Sequence, residues 1–127
     1  MAKFYLCKTC GNLHVSVNDG GAVPVCCGSE MTELKANETD GAREKHVPVV
    51  TRKEDGTVLV EVGSVPHPML PEHHISFIWL ETENGGQLRR LDPGKPAVAE
   101  FCDCKDKVIA VYEYCNLHGL WKNGEIK

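Results

Sequence analysis

A chain of 127 residues with a net charge of −4, 42% hydrophobic and 25% charged, has the make-up of an ordinary soluble protein: one domain, or one domain with a small appendage. The acidic balance gives no electrostatic footprint for nucleic acid, and no apolar run approaches the roughly 20 residues needed to cross a bilayer. Its first seven residues lack the apolar stretch of a secretory signal, so a cytoplasmic location is expected; thiols stay reduced there, and metal ligation becomes the leading use of seven cysteines.

Residues 1–36 read as a separate unit. Extended pieces at 3–6 and 13–17 lead to the turn Asn18-Asp19-Gly20-Gly21 and a further extended piece at 23–25. So short a unit buries too little apolar surface to fold unaided and needs a metal, disulfides or a partner subunit. Cys7-Lys8-Thr9-Cys10-Gly11 is a CxxC knuckle, in which two thiolates converge on one ion, and Cys26-Cys27-Gly28 offers the other half. Neighbours in a strand point to opposite faces, so Cys26 and Cys27 share an ion only if the backbone bends there. Four cysteines suit Zn²⁺ or a single iron, and spacing alone weighs a structural zinc knuckle and an iron centre equally. His14 alternates with Leu13 and Val15 and reads as a solvent-facing strand position.

Residues 37–44 are expected to be a linker, since 36–41 is polar and without apolar periodicity. From Lys45 the pattern is β throughout. Valine-rich runs at 47–52 and 58–62 flank the hairpin turn Glu54-Asp55-Gly56. A strand at 75–81 runs into Asn84-Gly85-Gly86 and returns over 87–91, and strands at 98–101 and 108–114 follow a Pro/Gly break. In the last of these Val108, Ala110, Tyr112 and Tyr114 share one face, and Ile109, Val111, Glu113 and Cys115 the other. Both faces are mostly apolar, so periodicity leaves open which is buried. No stretch of 12 residues has helical apolar spacing, and short strands between turn signals indicate an antiparallel sandwich or barrel over 45–127.

Metal chemistry returns near the C-terminus. Cys115-Asn116-Leu117-His118-Gly119 sets a thiolate and an imidazole three residues apart, and His46, His67 and His73 each lie beside or near a proline. One soft anionic donor and four neutral nitrogens suit a redox-active transition metal such as iron better than calcium or magnesium. Periodicity does not choose between His73 and His74, because adjacent strand residues face opposite ways.

The ordered set of Cys7-x2-Cys10 with Cys26-Cys27, Glu44-Lys45-His46-Val47-Pro48, His67-Pro68-Met69-x3-His73-x-Ile75 and Cys115-Asn116-x-His118-Gly119-Leu120-Trp121 resembles the desulfoferrodoxin family. These are two-iron superoxide reductases of anaerobic and microaerophilic microbes, and the resemblance spans essentially the whole chain. It implies an all-β protein in which a small desulforedoxin-like, metal-bound N-terminal domain precedes an immunoglobulin-like antiparallel β-sandwich, assembled as a homodimer. It implies a rubredoxin-like Fe(SCys)₄ centre on Cys7, Cys10, Cys26 and Cys27. A second iron would have His46, His67, His73 and His118 as equatorial ligands and Cys115 as the axial one, which selects His73 over His74. Superoxide is the implied substrate and rubredoxin the usual electron donor. Five donors leave one position for a small anion; Lys45 is expected to steer superoxide there, and Glu44 to reach the same position when the iron is ferric. Two other readings compete: an electron carrier or metal-binding module with a structural Cys₄ zinc, and a non-haem oxygenase, which needs more open positions than five donors leave.

Phe101-Cys102-Asp103-Cys104-Lys105 departs from the family motifs. In extended backbone its two sulfurs share a face but stand too far apart for an unstrained disulfide. Incidental thiols in a hairpin loop are the expectation.

Overall fold

The computed structural model describes residues 2–39 and 41–126, and the chain divides into two compact units, Met1–Lys35 and Ala36–Lys127. In the first, β1 (Lys3–Leu6) lies between β2 (Leu13–Ser16) and β5 (Thr32–Glu33), while β3 (Val25–Cys26) and β4 (Ser29–Glu30) form a separate hairpin. Tyr5, Cys7 and Met31 form a small apolar cluster there, with Cys26 packed against them. So small a core agrees with a unit that relies on its sulfur cluster for stability.

The second unit faces a three-stranded sheet against a four-stranded one. The first is ordered β10-β7-β6, from β6 (Pro48–Arg52), β7 (Thr57–Val62) and β10 (Val98–Cys102). The second is ordered β12-β11-β8-β9, from β8 (Ile75–Thr82), β9 (Gly85–Arg90), β11 (Val108–Cys115) and β12 (Gly119–Asn123). All the pairings are antiparallel. Alternation places Val58, Val60, Val62, Ala99 and Phe101 inward from one sheet, against Ile78, Leu80, Val108 and Val111 from the other. The all-β sandwich expected from the sequence is the fold observed.

β11 resolves its open question by burying both faces: every residue from Ala110 to Cys115 is buried. Tyr114 stacks on Phe77, ring centroids 6.0 Å apart, on the face opposite Val111. Glu113 lies on the other face, fully buried, with no hydrogen-bond partner for either carboxyl oxygen among the described residues. Desolvation lifts its pKa well above the ordinary carboxylate range, which favours the neutral form.

Two elements escaped the strand pattern. β12 pairs with β11 from Cys115↔Gly119 to Val111↔Asn123. α1 (Arg43–His46) is a single helical turn closed by Val47 N–H donating to Arg43 O at 2.9 Å. The segment expected as a linker is also bound to the second unit. Asn37 N–H donates to Leu120 O, and the Asn37 side chain accepts from Lys122 N–H and donates to Lys122 O. Thr39 donates to His118 O. A polar sequence hides this role because the bonds satisfy backbone groups and need no apolar side chains.

The α1 turn is fixed by Gly63. Val65 N–H donates to Glu44 O at 2.9 Å and Gly63 N–H to Val47 O at 3.2 Å, with Gly63 at φ +81. A methyl group at Gly63 would come within 2.7 Å of Glu44 O and the Lys45 backbone. Gly63→Ala therefore meets both a left-handed φ and a backbone collision, which cost on the order of 1–3 kcal/mol. Its denaturation midpoint is expected to drop accordingly and its metal content in the histidine site to fall with it; an unchanged midpoint would contradict this account.

Candidate metal centres

In the first unit the bend demanded between Cys26 and Cys27 is a two-residue hairpin loop. Cys27 has φ +52 and Gly28 φ +77, between strands paired Val25↔Glu30 and Cys26↔Ser29. Two positive φ values are the signature of the type I′ turn, and it swings Cys27 out of the alternation so that both sulfurs turn the same way. The knuckle opposite is closed by Gly11 N–H donating to Cys7 O at 2.8 Å and Cys7 N–H to Asn12 O at 2.9 Å. The four sulfurs of Cys7, Cys10, Cys26 and Cys27 lie within 4.8 Å of one another.

Without a cation these thiols cannot all ionise. The backbone N–H of Cys10, then that of Thr9, hold Cys7 down to about 6, whereas hydrogen bonds from Cys10, Cys7 and Cys26 push Cys27 up to about 12. So wide a spread is what shared protons and accumulating negative charge produce in a close thiol cluster. A dication at the centre removes that repulsion, and the donor set fits tetrahedral Zn²⁺ or a single iron.

The second cluster joins α1, the β7–β8 loop and the β11–β12 turn. His46 and His67 are buried, His73 and His118 half-buried, and Cys115 fully buried. His46, His67, His73, Cys115 and His118 each bring one donor atom within 4.8 Å of all the others. The imidazoles form a closed ring. Successive centroids are 4.7 Å (His46–His67), 4.7 Å (His67–His73), 5.1 Å (His73–His118) and 4.8 Å (His118–His46), with interplanar angles of 72°, 82°, 82° and 89°.

The nitrogens face inward for identifiable reasons. His46 Nδ1 meets Ala42 O at 2.7 Å and His67 Nδ1 meets Pro68 O at 2.7 Å. Each carbonyl holds the Nδ1 proton, which leaves the Nε2 lone pair pointing into the ring. His118, three residues after Cys115, presents Nδ1 instead, 3.0 Å from His46 Nε2 and 3.9 Å from Cys115 Sγ. His46 Nε2 stands 3.1 Å from His67 Nε2. A square with sides of about 3.0 Å has its centre 3.0/√2, or about 2.1 Å, from each corner, and this is a metal–imidazole bond length. His73 Nε2 is buried without a hydrogen-bond partner among the described residues. Convergent lone pairs, an orphaned nitrogen and a buried thiol fit a transition metal.

Several residues outside the predicted donor set build this ring. The β8–β11 register slips between Tyr114↔Phe77 and Cys115↔Ile75, a bulge that keeps both Ile75 and Cys115 on the core side. Asn116 accepts from His74 N–H at 2.8 Å, donates to Glu72 O at 3.0 Å and gives its own N–H to His74 O at 3.1 Å. That staple ties the His73 loop to the Cys115–His118 turn. His74 itself points away, with Nδ1 against Leu70 O. Trp121 stacks on His46 at 5.0 Å and 23°, and its indole N–H donates to His118 O at 3.1 Å. The sequence carried no separate signal for Asn116 or Trp121 beyond their place in the Cys115 motif. Glu44 and Lys45 are exposed on α1 beside His46, and the Lys45 charge acts on both His46 and His73.

Burial also sets how the empty ring titrates. Desolvation lowers His67 to about 4 from the ordinary 6.5 and lowers His46 and His73 in the same direction. Between about pH 6.5 and 4 the unfolded chain takes up protons that the native ring refuses, so stability falls as pH falls through that window. The metal-free protein is therefore expected to lose denaturant resistance progressively from neutral pH down to about pH 4, with a shallower loss in His67→Gln. Equal slopes in the two proteins would contradict the assignment to His67.

Comparison with known proteins agrees with this architecture. The desulfoferrodoxin profile matches residues 38–124, and the desulfoferrodoxin N-terminal domain profile matches residues 1–34. The chain is 46% identical over 120 residues to desulfoferrodoxin of Nitratidesulfovibrio vulgaris, covering 94% of each chain. It is 44% identical over 122 residues to the desulfoferrodoxin homolog of Archaeoglobus fulgidus, again covering 94% of each. Among solved structures, the superoxide reductase from Treponema pallidum superposes with a TM-score of 0.81 at 34% identity, over 97% of this chain and 98% of that one. With both units matched in order and the two donor clusters assembled, the chain belongs to the desulfoferrodoxin family.

Proposed function

We propose that this protein is a superoxide reductase, adding one electron and two protons to superoxide to give hydrogen peroxide. The observation that carries this reading is the closed ring of four imidazoles with a buried thiol in reach of all of them. Iron held by His46, His67, His73, His118 and Cys115 would supply the electron and one open coordination position, large enough for a small anion and too restricted for O₂ plus a substrate. Family membership and the likeness to a superoxide reductase support the same reading.

The chain's residues supply the rest. Cys115 is the only donor of the five that becomes anionic; burial raises its thiol pKa, and the N–H groups of Leu117 and His118 offset part of that in favour of the thiolate. Its negative charge favours the oxidised metal, which is the state that follows electron donation. Desolvation disfavours protonation of His67, His46 and His73. Lys45, exposed next to His46, raises the local concentration of an approaching anion and holds water in position to deliver a proton. Glu44, exposed on the same turn, reaches the open position in the oxidised resting state.

Cys7, Cys10, Cys26 and Cys27 are proposed to hold a second iron that takes part in re-reduction by a rubredoxin-like donor; zinc there would make that unit structural. The resemblance extends the proposal to a homodimer working in the cytoplasm. Anaerobic purification tests the whole reading: two irons per chain, peroxide formed on mixing with superoxide and no O₂ evolved support it, whereas zinc with no reaction overturns it.

Two variants separate the roles. Cys115→Ser should fold and bind metal but lose turnover by roughly 100-fold or more, since even outer partners of metal ligands cost 10–100-fold; an unchanged rate would refute the role of the thiolate. Lys45→Ala should slow the second-order reaction with superoxide by roughly threefold to tenfold and flatten its dependence on ionic strength. A salt dependence equal to that of the parent protein would remove Lys45 from steering.

A further inference from the structure

Cys102 and Cys104 belong to neither metal cluster. They sit at the end of β10, beside the turn after β6: Cys102 pairs with Thr57 and Asp103 N–H donates to Gly56 O at 2.9 Å. From Thr57 to Val62, next to the Gly63 contact with α1, is five strand steps, about 17 Å. The pair therefore lies at the far end of β7 from the histidine ring.

The backbone here is a turn, as the hairpin-loop expectation has it, and is not extended. Cys104 and Lys105 have φ +52 and +60, and Asp106 N–H donates to Asp103 O at 2.9 Å. This is a type I′ pattern in two residues that carry side chains, where asparagine and glycine are usual. Arg52 binds the Asp103 carboxylate at 3.1 Å and Lys105 N–H donates to it at 2.9 Å, so the turn is held closed. As a result Cys104 N–H donates to Cys102 Sγ at 3.2 Å. Both thiols are exposed and line a shallow cleft of about 480 Å³ with Glu54, Asp55 and Asp103. The same device that turns Cys27 towards Cys26 thus gathers these two sulfurs, with no third donor among the described residues to complete a metal site.

We propose that Cys102 and Cys104 form a redox-active dithiol that peroxide oxidises to an intramolecular disulfide. The oxidant is the product of the superoxide reduction proposed above, and this supply rests on that reading; peroxide from any other source reacts in the same way. Cys102, which receives the backbone donor, attacks one peroxide oxygen as its thiolate: an S–O bond forms, the O–O bond breaks, and the departing hydroxide takes a proton to leave as water. The thiolate of Cys104 then attacks that sulfur: the S–S bond forms, the S–O bond breaks, and a second water leaves. One peroxide and two thiols give one disulfide and two waters. Cys102 first, and then burial and the carboxylates of Asp103 and Asp106, raise the Cys104 thiol, which disfavours it as the first nucleophile.

The experiment uses the full, metal-loaded chain and reagent hydrogen peroxide. Trypsin releases residues 91–105 as one peptide, because Lys95 precedes Pro96, and that peptide contains Cys102 and Cys104 and no other cysteine. One equivalent of peroxide should remove both thiols from alkylation and leave the peptide lighter by two hydrogens. In Cys104→Ser, Cys102 should be trapped as a sulfenic acid by a 1,3-diketone. Two thiols still free, sulfinic or sulfonic acid in place of the disulfide, or a link to a second chain would each overturn the proposal. Because the peroxide is added, the result does not depend on superoxide turnover, which is assayed separately and should be unchanged in Cys104→Ser.

Discussion

Four imidazole nitrogens gathered within 4.8 Å of one another, with His46 Nε2 about 3 Å from those of His67 and His118, in a mostly dry setting is the arrangement around which the second unit is built. Unpaired lone pairs facing each other repel, and burial removes the water that would screen or satisfy them. Three separate pieces of chain hold the ring together: α1 through Gly63, the His67–His73 loop through Asn116, and β11 through its bulge. Gly63 and Asn116 are not themselves donors. Each fixes a backbone or a rotamer, so the donors arrive in place before a metal does, and coordination need not also order them.

Left-handed backbone recurs wherever sulfurs must meet. Side chains on a strand alternate, so neither Cys-Cys nor Cys-x-Cys can bring its two thiols together in extended chain. The Cys27-Gly28 loop and the Cys104-Lys105 turn solve this with positive φ. In the first, glycine takes one of the two positions; in the second, both carry side chains, and Arg52 and Asp103 hold the turn closed. The outcomes differ because of what stands opposite. Cys26 and Cys27 face the knuckle of Cys7 and Cys10, whereas Cys102 and Cys104 face carboxylates and open solvent.

Much of this was legible in the sequence, for physical reasons. Valine-rich runs marked β6 and β7, and Glu54-Asp55-Gly56 marked the hairpin between them. Ligand residues were legible as a constellation because metal donors are few in kind and come in motifs. What stayed hidden was held by backbone hydrogen bonds or by chain reversal. The bonds from Asn37 and Thr39 to β12 leave no periodic trace, and the αL turn at Cys104 uses residues that ordinarily avoid it. β11 was ambiguous because it is apolar on both sides, and the structure buries both.

The one-turn helix α1 explains a further feature of the Glu44-Lys45-His46 run. In a strand, Glu44 and His46 would share a face and Lys45 would point the opposite way. A helical turn advances about 100° per residue, so His46 can turn inward while Glu44 and Lys45 both remain in solvent, as observed. Beginning β6 at Glu44, four residues earlier, would put Glu44 on the same face as His46 and send Lys45 away from the ring. The carbonyl of Ala42 that orients His46 belongs to the same turn. A single turn of helix thus sets the tautomer of one donor and places an acid and a cation on its solvent side, which is why its collision with any side chain at Gly63 matters more than its length suggests.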